Sequence, residues 1–256
     1  MKKIFALSAI AISFSSLHVS AQQGDPKATE VWEPEPKIVK TGAVNTPPSD
    51  AIILFDGKSL NEWESVKDTT QPAAWTLGKG FFTVKKGTGN IQTKRKFMDY
   101  QLHIEWKIPQ GIHGEGQGRG NSGLFLASTG GGDEGYEMQI LDNYNNKTYA
   151  NGQATSIYKQ KIPLANACKR PGLWQTYDVV WTAPRFYEDG SLKSPARVTA
   201  FHNGVLVQNN FELEGPTRYI GKAAYNKAHG ASSIKLQDHG DPSEPISFRN
   251  IWIREL

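Results

Sequence analysis

The 256-residue chain holds a single cysteine, Cys168. An internal disulfide is therefore excluded, and the fold has to rest on buried apolar surface rather than cross-links. No partner histidine motif surrounds Cys168, so it reads as a small buried apolar residue and not as a nucleophile. Long apolar runs are missing as well. The stretch inside "MKKIFALSAIAISFSSLHVSAQQ" is too short and too serine-rich for the ~20 residues of a membrane helix, and no later segment is apolar enough to span a bilayer. A strong excess of one charge is also lacking. The formal net charge is +4, and it drops to +2 without residues 1–21, which carry Lys2 and Lys3 and no acid. That balance gives no reason to expect nucleic acid or an anionic membrane as a partner. His-x-His and His-Glu-x-x-His spacings are absent. The Gly-rich stretch "GIHGEGQGRGNSG" (111–123) lacks the Gly-Lys-Ser/Thr ending of a phosphate loop, and reads as a loop between strands.

What is present begins with a leader pattern. Two lysines, an apolar stretch and then Val19-Ser20-Ala21 are the layout of a secretory signal peptide, with cleavage expected after Ala21 and an exported product. Residues 22–50 hold five of the fourteen prolines, which leaves no helical or strand period and predicts an extended arm, with Trp32 and Ile38 as anchors onto the domain surface. From 51 to 256 the pattern is repeated short β-runs: 51–55, 81–84, 99–108, 122–127, 136–141, 175–182, 197–201, 204–208, 233–237 and 246–254. Most alternate with period two between Gly, Asn, Asp or Pro, and Asn203-Gly204 marks a two-residue hairpin. Helical periods are absent apart from a short turn expected within 213–229. Many strands without intervening helices predict one all-β sandwich.

Strand parity then sorts the polar residues, because side chains two apart share a face. In "YEMQIL", Glu137 and Gln139 lie opposite Tyr136, Met138 and Ile140. In "QLHIEWKI", His103 and Glu105 lie opposite Leu102, Ile104 and Trp106. In "IKLQDHG", Lys235, Gln237 and His239 lie opposite Ile234, Leu236 and Asp238. In "SFRNIWIREL", Arg249, Ile251 and Ile253 lie opposite Phe248, Asn250 and Trp252. A wetted outer face explains such alternation, and suffices for His103, Lys107 and Lys235. Glu137 with Gln139 fits directed hydrogen bonding better, as in a polar groove for sugars. Spacing does not choose between these readings. Trp63, Trp75, Trp106 and Trp174 are either core or sugar-stacking platforms.

Eight motifs in order over 51–256 carry a resemblance: "AIILFDGKSLNEW", "NSGLFL", "YEMQILD", "TSIY", "GLWQTYDVVW", "HNGVLV", "IKLQDHGDP" and "ISFRNIWIREL". Together they resemble the 3-keto-glucoside 1,2-lyase/3-keto-2-hydroxy-glucal hydratase family, also described as 3-keto-disaccharide hydrolases. The resemblance implies a concanavalin A-like jelly-roll β-sandwich of two antiparallel sheets with a concave polar face, and a periplasmic location. It also implies a 3-keto-sugar or 3-keto-glycoside substrate, with a separate sugar 3-dehydrogenase acting upstream. Glucanases of that fold carry Glu-x-Asp-x-Glu on one strand. Laid on Glu137, the pattern needs carboxylates where Gln139 and Leu141 stand.

A 3-ketone acidifies the C2 hydrogen, so elimination at C1 needs a base, an oxyanion donor and help for the leaving group, not two bracketing carboxylates. On that reading His239 or Glu137 is the base, histidine having an ordinary pKa near ~6.5. Arg249 stabilises the enolate or holds a hydroxyl, and Glu105 orients His or Arg or shares the base role. Asn121, Gln139 and Gln237 bind hydroxyls, Tyr158 donates a proton or fills the core, and Asp142 and Asp238 satisfy nearby N–H groups. The chemistry requires no cofactor; a calcium ion, if one binds, belongs to the oxygen-rich segments "GGGDEG" or "DNYNN". The competing functions are a non-catalytic carbohydrate-binding module, an ordinary glycoside hydrolase and a structural sandwich.

Overall fold

A computed structural model describes residues 25–43 and 46–256; the expected leader lies outside them. Two units are present, Met1–Ile38 and Val39–Leu256. In the first, the described residues form one 3₁₀ turn, Pro26–Thr29, and extended chain. Within it Trp32 and Ile38 are 78% and 91% exposed. Among the described residues no helix is long and apolar enough to cross a membrane.

The described residues of the second unit form fifteen strands: β1 (Ile52–Phe55), β2 (Trp63–Ser65), β3 (Thr76–Leu77), β4 (Phe82–Thr83), β5 (Ile91–Thr93), β6 (Tyr100–Lys107), β7 (Ser122–Ser128), β8 (Gly135–Ile140), β9 (Trp174–Thr182), β10 (Arg185–Phe186), β11 (Leu192–Ser194), β12 (Arg197–His202), β13 (Val205–Glu212), β14 (Lys235–Leu236) and β15 (Ser247–Glu255). One sheet runs β13-β12-β9-β6-β15-β4-β3, with β1 added on β15; the other runs β2-β5-β14-β7-β8; β10 and β11 form a small ribbon. Every pairing is antiparallel, and the whole is a jelly-roll sandwich. Each run expected to be a strand contains one. The five strands without a sequence signal, β2, β3, β5, β10 and β11, have only two or three residues, too few for a period to show. The turn of helix expected within 213–229 is absent; that segment is irregular loop. Asn203 and Gly204 take φ of 51° and 82° and close β12 onto β13, as a two-residue hairpin requires.

Alternation places one side of each strand in a shared core. Leu102, Ile104, Trp106, Tyr177, Val179 and Trp181 come from the larger sheet; Leu124, Leu126, Tyr136, Met138, Ile140 and Leu236 come from the smaller. Burying each large side chain contributes about 1.5–3 kcal/mol. Trp63, Trp75 and Trp106 are core residues, and only Trp174 of the four candidate platforms is partly exposed. Tyr hydroxyls cross the core to main-chain carbonyls: Tyr177 donates to Gln139 at 2.9 Å and Tyr100 to Leu126 at 2.6 Å. These bonds fix β8 and β7 against the larger sheet, and so fix the residues on their outer faces.

Candidate active site

The outer face of the smaller sheet is polar. Register sets Lys235 opposite Phe125 and Phe125 opposite Glu137; one step along, Gly123 pairs with Gln139. Gln237 continues β14 and is held there by its own N–H to the Gly123 carbonyl (3.0 Å) and its carbonyl to Ser122 Oγ (2.7 Å). The segment Thr155–Tyr158 runs along the free edge of β8, with Tyr158 N–H donating to the Glu137 carbonyl at 3.1 Å. Glu137, Gln139, Asn121, Gln237 and Tyr158 are all buried, on a sheet face where wetted side chains would have sufficed.

A chain of polar contacts crosses this face. The Gln139 amide lies 3.1 Å from Glu137 Oε1 and 3.0 Å from the Ser122 carbonyl when its nitrogen is turned to them. Turned over, it donates to Gln117 Oε1 at 3.0 Å and to Asn121 Oδ1 at 3.3 Å. Asn121 Nδ2 reaches His239 Nε2 at 3.2 Å, and His239 Nδ1 faces Asp241 Oδ2 at 3.3 Å. The two loops that carry this pair are tied, since Gly120 N–H donates to Ser243 Oγ at 2.8 Å and Ser243 N–H donates to Asp241. Tyr158 shares its hydroxyl with Tyr149. The Gln237 side-chain oxygen is buried without a partner among the described residues, an acceptor held open on the face.

Burial raises the Glu137 carboxyl to about 8; nearby Asp133 raises it too, and Lys235 works the other way. Lys235 is itself fully buried, and burial lowers its ammonium to about 8 against the pull of Asp133, Glu134 and Glu137. It is not the wetted residue that alternation suggested. Its three donors are spent on the carbonyls of Gly130, Gly132 and Glu134, at 3.2, 2.9 and 2.7 Å, above the Phe125 ring. The "GGGDEG" loop thus turns its carbonyl oxygens onto an ammonium. In "DNYNN", Asp142 binds Arg119 and Tyr144 N–H, Asn143 caps Ala154 and Asn146 caps Gly116. Among the described residues no three His, Cys, Asp or Glu side chains converge as metal ligands.

Arg249 and Glu105 are not on this face, which corrects the expected grouping. They stand on β15 and β6, on the outer face of the other sheet, joined at 2.6 Å. Parity also failed inside β15. Its register shifts between Arg249 and Trp252, and Asn250 takes φ of 46°, so Arg249, Asn250 and Trp252 share the outer face while Phe248, Ile251 and Ile253 are core. Asp238 accepts from Gly89 N–H, as expected of a turn residue. Cys168 is half-buried with its thiol raised to about 12 by burial, so it is no nucleophile.

Sequence reasoning does not single out Gly123, Gln117 or Asp241, and it reads Lys235 as solvated. Gly123 had a signal, a glycine inside a strand. A Cβ there would stand 2.7 Å from Glu137 Oε1, so its absence makes the space the carboxyl fills. Lys235 had none, since a lysine in alternation looks solvated.

Comparison with known proteins places this site in context. The profile of the 3-keto-alpha-glucoside-1,2-lyase-like domain matches residues 50–254. A protein of Bacteroides thetaiotaomicron described as a 3-keto-disaccharide hydrolase is 25% identical over the full length of both chains. A crystal structure of a candidate glycosyl hydrolase from Parabacteroides distasonis is 54% identical, with a TM-score of 0.83 over 91% of this chain and 97% of that one. A second from the same organism is 23% identical at a TM-score of 0.58, over 80% and 94%, and shares the fold.

Proposed function

Since the chain belongs to the 3-keto-alpha-glucoside-1,2-lyase-like family, we propose that it cleaves 3-keto-glucosides by elimination, with Glu137 as the base. The observation that carries this reading is one buried carboxyl, Glu137, whose neighbour on the same strand face is an amide, Gln139, and not a second acid. Hydrolysis through paired acids needs two carboxyls about 5–9.5 Å apart across C1. Proton abstraction beside a ketone needs one base poised near neutrality, and a carboxyl held near 8 meets that need.

Glu137 takes the C2 proton and the electron pair forms the C2–C3 enolate. The enolate collapses, C1–C2 becomes a double bond, the C3 carbonyl returns and the C1–O bond breaks. His239, oriented by Asp241 and Asn121, gives a proton to the departing oxygen. The enolate oxygen takes a hydrogen bond from Tyr158, polarised by Tyr149, and Gln237, Gln139 and Asn121 hold sugar hydroxyls. Addition of water across C1–C2 converts the 3-keto-2-hydroxy-glucal to a 3-keto-sugar, a net hydrolysis. On this reading a separate sugar 3-dehydrogenase supplies the ketone, and the leader pattern of residues 1–21 supports a reaction outside the cytoplasm.

The test is NMR of the purified protein with 3-keto-trehalose and a 3-keto-β-glucoside in D₂O. The expected result is the glucal, or deuterium at C2, formed ~10²–10⁴-fold more slowly in Glu137→Gln. Cleavage that leaves C2 protonated and passes through no glucal, or equal cleavage of unoxidised glycosides, sinks the proposal.

A further inference from the structure

The outer face of the larger sheet holds a charged network that the proposed reaction does not use. Glu105 is 3% exposed, yet it accepts from Arg249 Nε at 2.6 Å and from Asn250 Nδ2 at 2.8 Å. His103 lies 3.7 Å from Glu105 and 2.6 Å from Asp178, and stacks against Trp252 at 5.2 Å and 13°. The Arg249 guanidinium also lies over the Trp174 ring at 4.2 Å. Such a network is a poor stabilising device, because an apolar replacement of a buried ion pair is often neutral or better. What it does achieve is to hold one guanidinium plane still, between a carboxylate edge and an indole face.

Beside that guanidinium is a cavity of about 320 Å³, walled by Trp252, Arg249, Asn250, Asp56, Gly57 and Gly80. The bulge in β15 is what turns Arg249, Asn250 and Trp252 toward the same side. Arg249 uses Nε and Nη2 on Glu105, which leaves Nη1 as a donor without a partner among the described residues. Asp56, half-exposed, accepts the Lys58 N–H at Oδ1 (2.9 Å) and has the Lys58 ammonium 3.9 Å from Oδ2, which leaves further lone pairs of its carboxylate as acceptors. A fixed donor, an acceptor and an aromatic wall are the groups that recognise adjacent hydroxyls on an apolar ring. The volume is near the lower end of the roughly 300–1,000 Å³ of small-molecule sites, which suits one ring and not a chain. Glu105 already neutralises Arg249, so an anionic sugar gains little there.

We propose that this cavity is a second carbohydrate site, for one neutral glycosyl residue, on the opposite side of the sandwich from Glu137. It does not depend on the elimination reading. The test is a ¹H–¹⁵N NMR titration of full-length Glu137→Gln protein with D-glucose and with maltose, the Trp252 indole N–H being assigned by Trp252→Phe. The expected result is a saturable shift of that resonance, weakened about tenfold or more by Asp56→Ala and by Arg249→Lys. Asp56→Ala is the variant that keeps the test decisive, since Asp56 is outside the buried network; it should keep wild-type kcat/KM on 3-keto-glycosides. No saturable Trp252 shift, an unchanged titration in folded Asp56→Ala, or tighter binding of glucuronate than of glucose would each overturn the proposal. Absence of 3-keto-glycoside turnover alongside a saturable Trp252 shift would overturn only the elimination reading.

Discussion

At Glu137 the physics is a contest between burial and charge. Among the described residues no cation lies at hydrogen-bond distance from the carboxyl, and burial raises it to about 8, so it is largely neutral at pH 7 and becomes a base as the pH rises. Glu137→Gln should lower kcat by ~10²–10⁴ and leave the melting temperature unchanged or higher, which turnover and thermal unfolding will check. The rate of the wild-type protein should climb as pH passes through about 8. Gly123→Ala tests the neighbouring space. A methyl group 2.7 Å from Glu137 Oε1 must push the carboxyl aside, so kcat should fall while KM moves little; equal kcat would mean that the carboxyl has room to spare. Glu137 and Gln139 could be put on one strand face from alternation, and the family resemblance then favoured reading that face as a site. That Gly123 makes room for the carboxyl could not, because the pairing of Gly123 with Gln139 is set by strands joined through the loop between them and by the core beneath.

At the scale of the element, Lys235 works as a clip. Its ammonium gathers three carbonyls of the 130–134 loop onto β14 and β7. Lys235→Met should destabilise the protein by about 1–3 kcal/mol through orphaned carbonyls, read as a lower urea midpoint. The same change removes a charge that lowers the Glu137 pKa, so the alkaline rise in rate should move to higher pH. A rise that stays in place would show that Lys235 is electrically remote from the base. The β15 bulge is the other decisive element. Plain alternation aligned Arg249 with Ile251 and Ile253, and the expected roles grouped it with Glu137; the bulge at Arg249–Asn250 turns it outward instead, and the pairing of β15 with β6 puts it on the other sheet. Asn250 is a residue type that tolerates positive φ, but nothing local in "FRNIW" announces the bulge.

For the whole molecule, two ionisable clusters on opposite faces should shape stability against pH. His103 is held at about 9: burial opposes its charge, and the bonds to Asp178 and Glu105 outweigh it. A raised folded-state value gives stability that is complete below the ordinary histidine pKa and is lost as pH rises through about 9. Neutral Glu137 adds a loss in the same direction, between the ordinary carboxyl range and about 8. Glu105 is held at about 2, because burial raises it less than His103, Asn250 and Arg249 lower it; its contribution is present above the ordinary carboxyl pKa and is lost as pH falls toward 2. Urea midpoints measured across pH should therefore peak near the ordinary carboxyl pKa and fall on both sides of it, and Glu105→Gln should flatten the acid side. An unaltered acid limb in that variant would remove Glu105 from the account.

The sandwich, the alternation of its strands and the Asn203-Gly204 hairpin follow from local pattern, because a two-residue period and a φ-permissive turn are properties of adjacent residues. The single carboxyl on the Glu137 strand is local in the same sense. Which polar face a strand joins is not local. It depends on the sheet to which a strand pairs, on a bulge that reverses parity, and on hydroxyls such as Tyr177 that lock one sheet to the other. Those contacts span long stretches of chain and are decided by packing, so only the folded molecule separates Glu137 and His239 from Glu105 and Arg249.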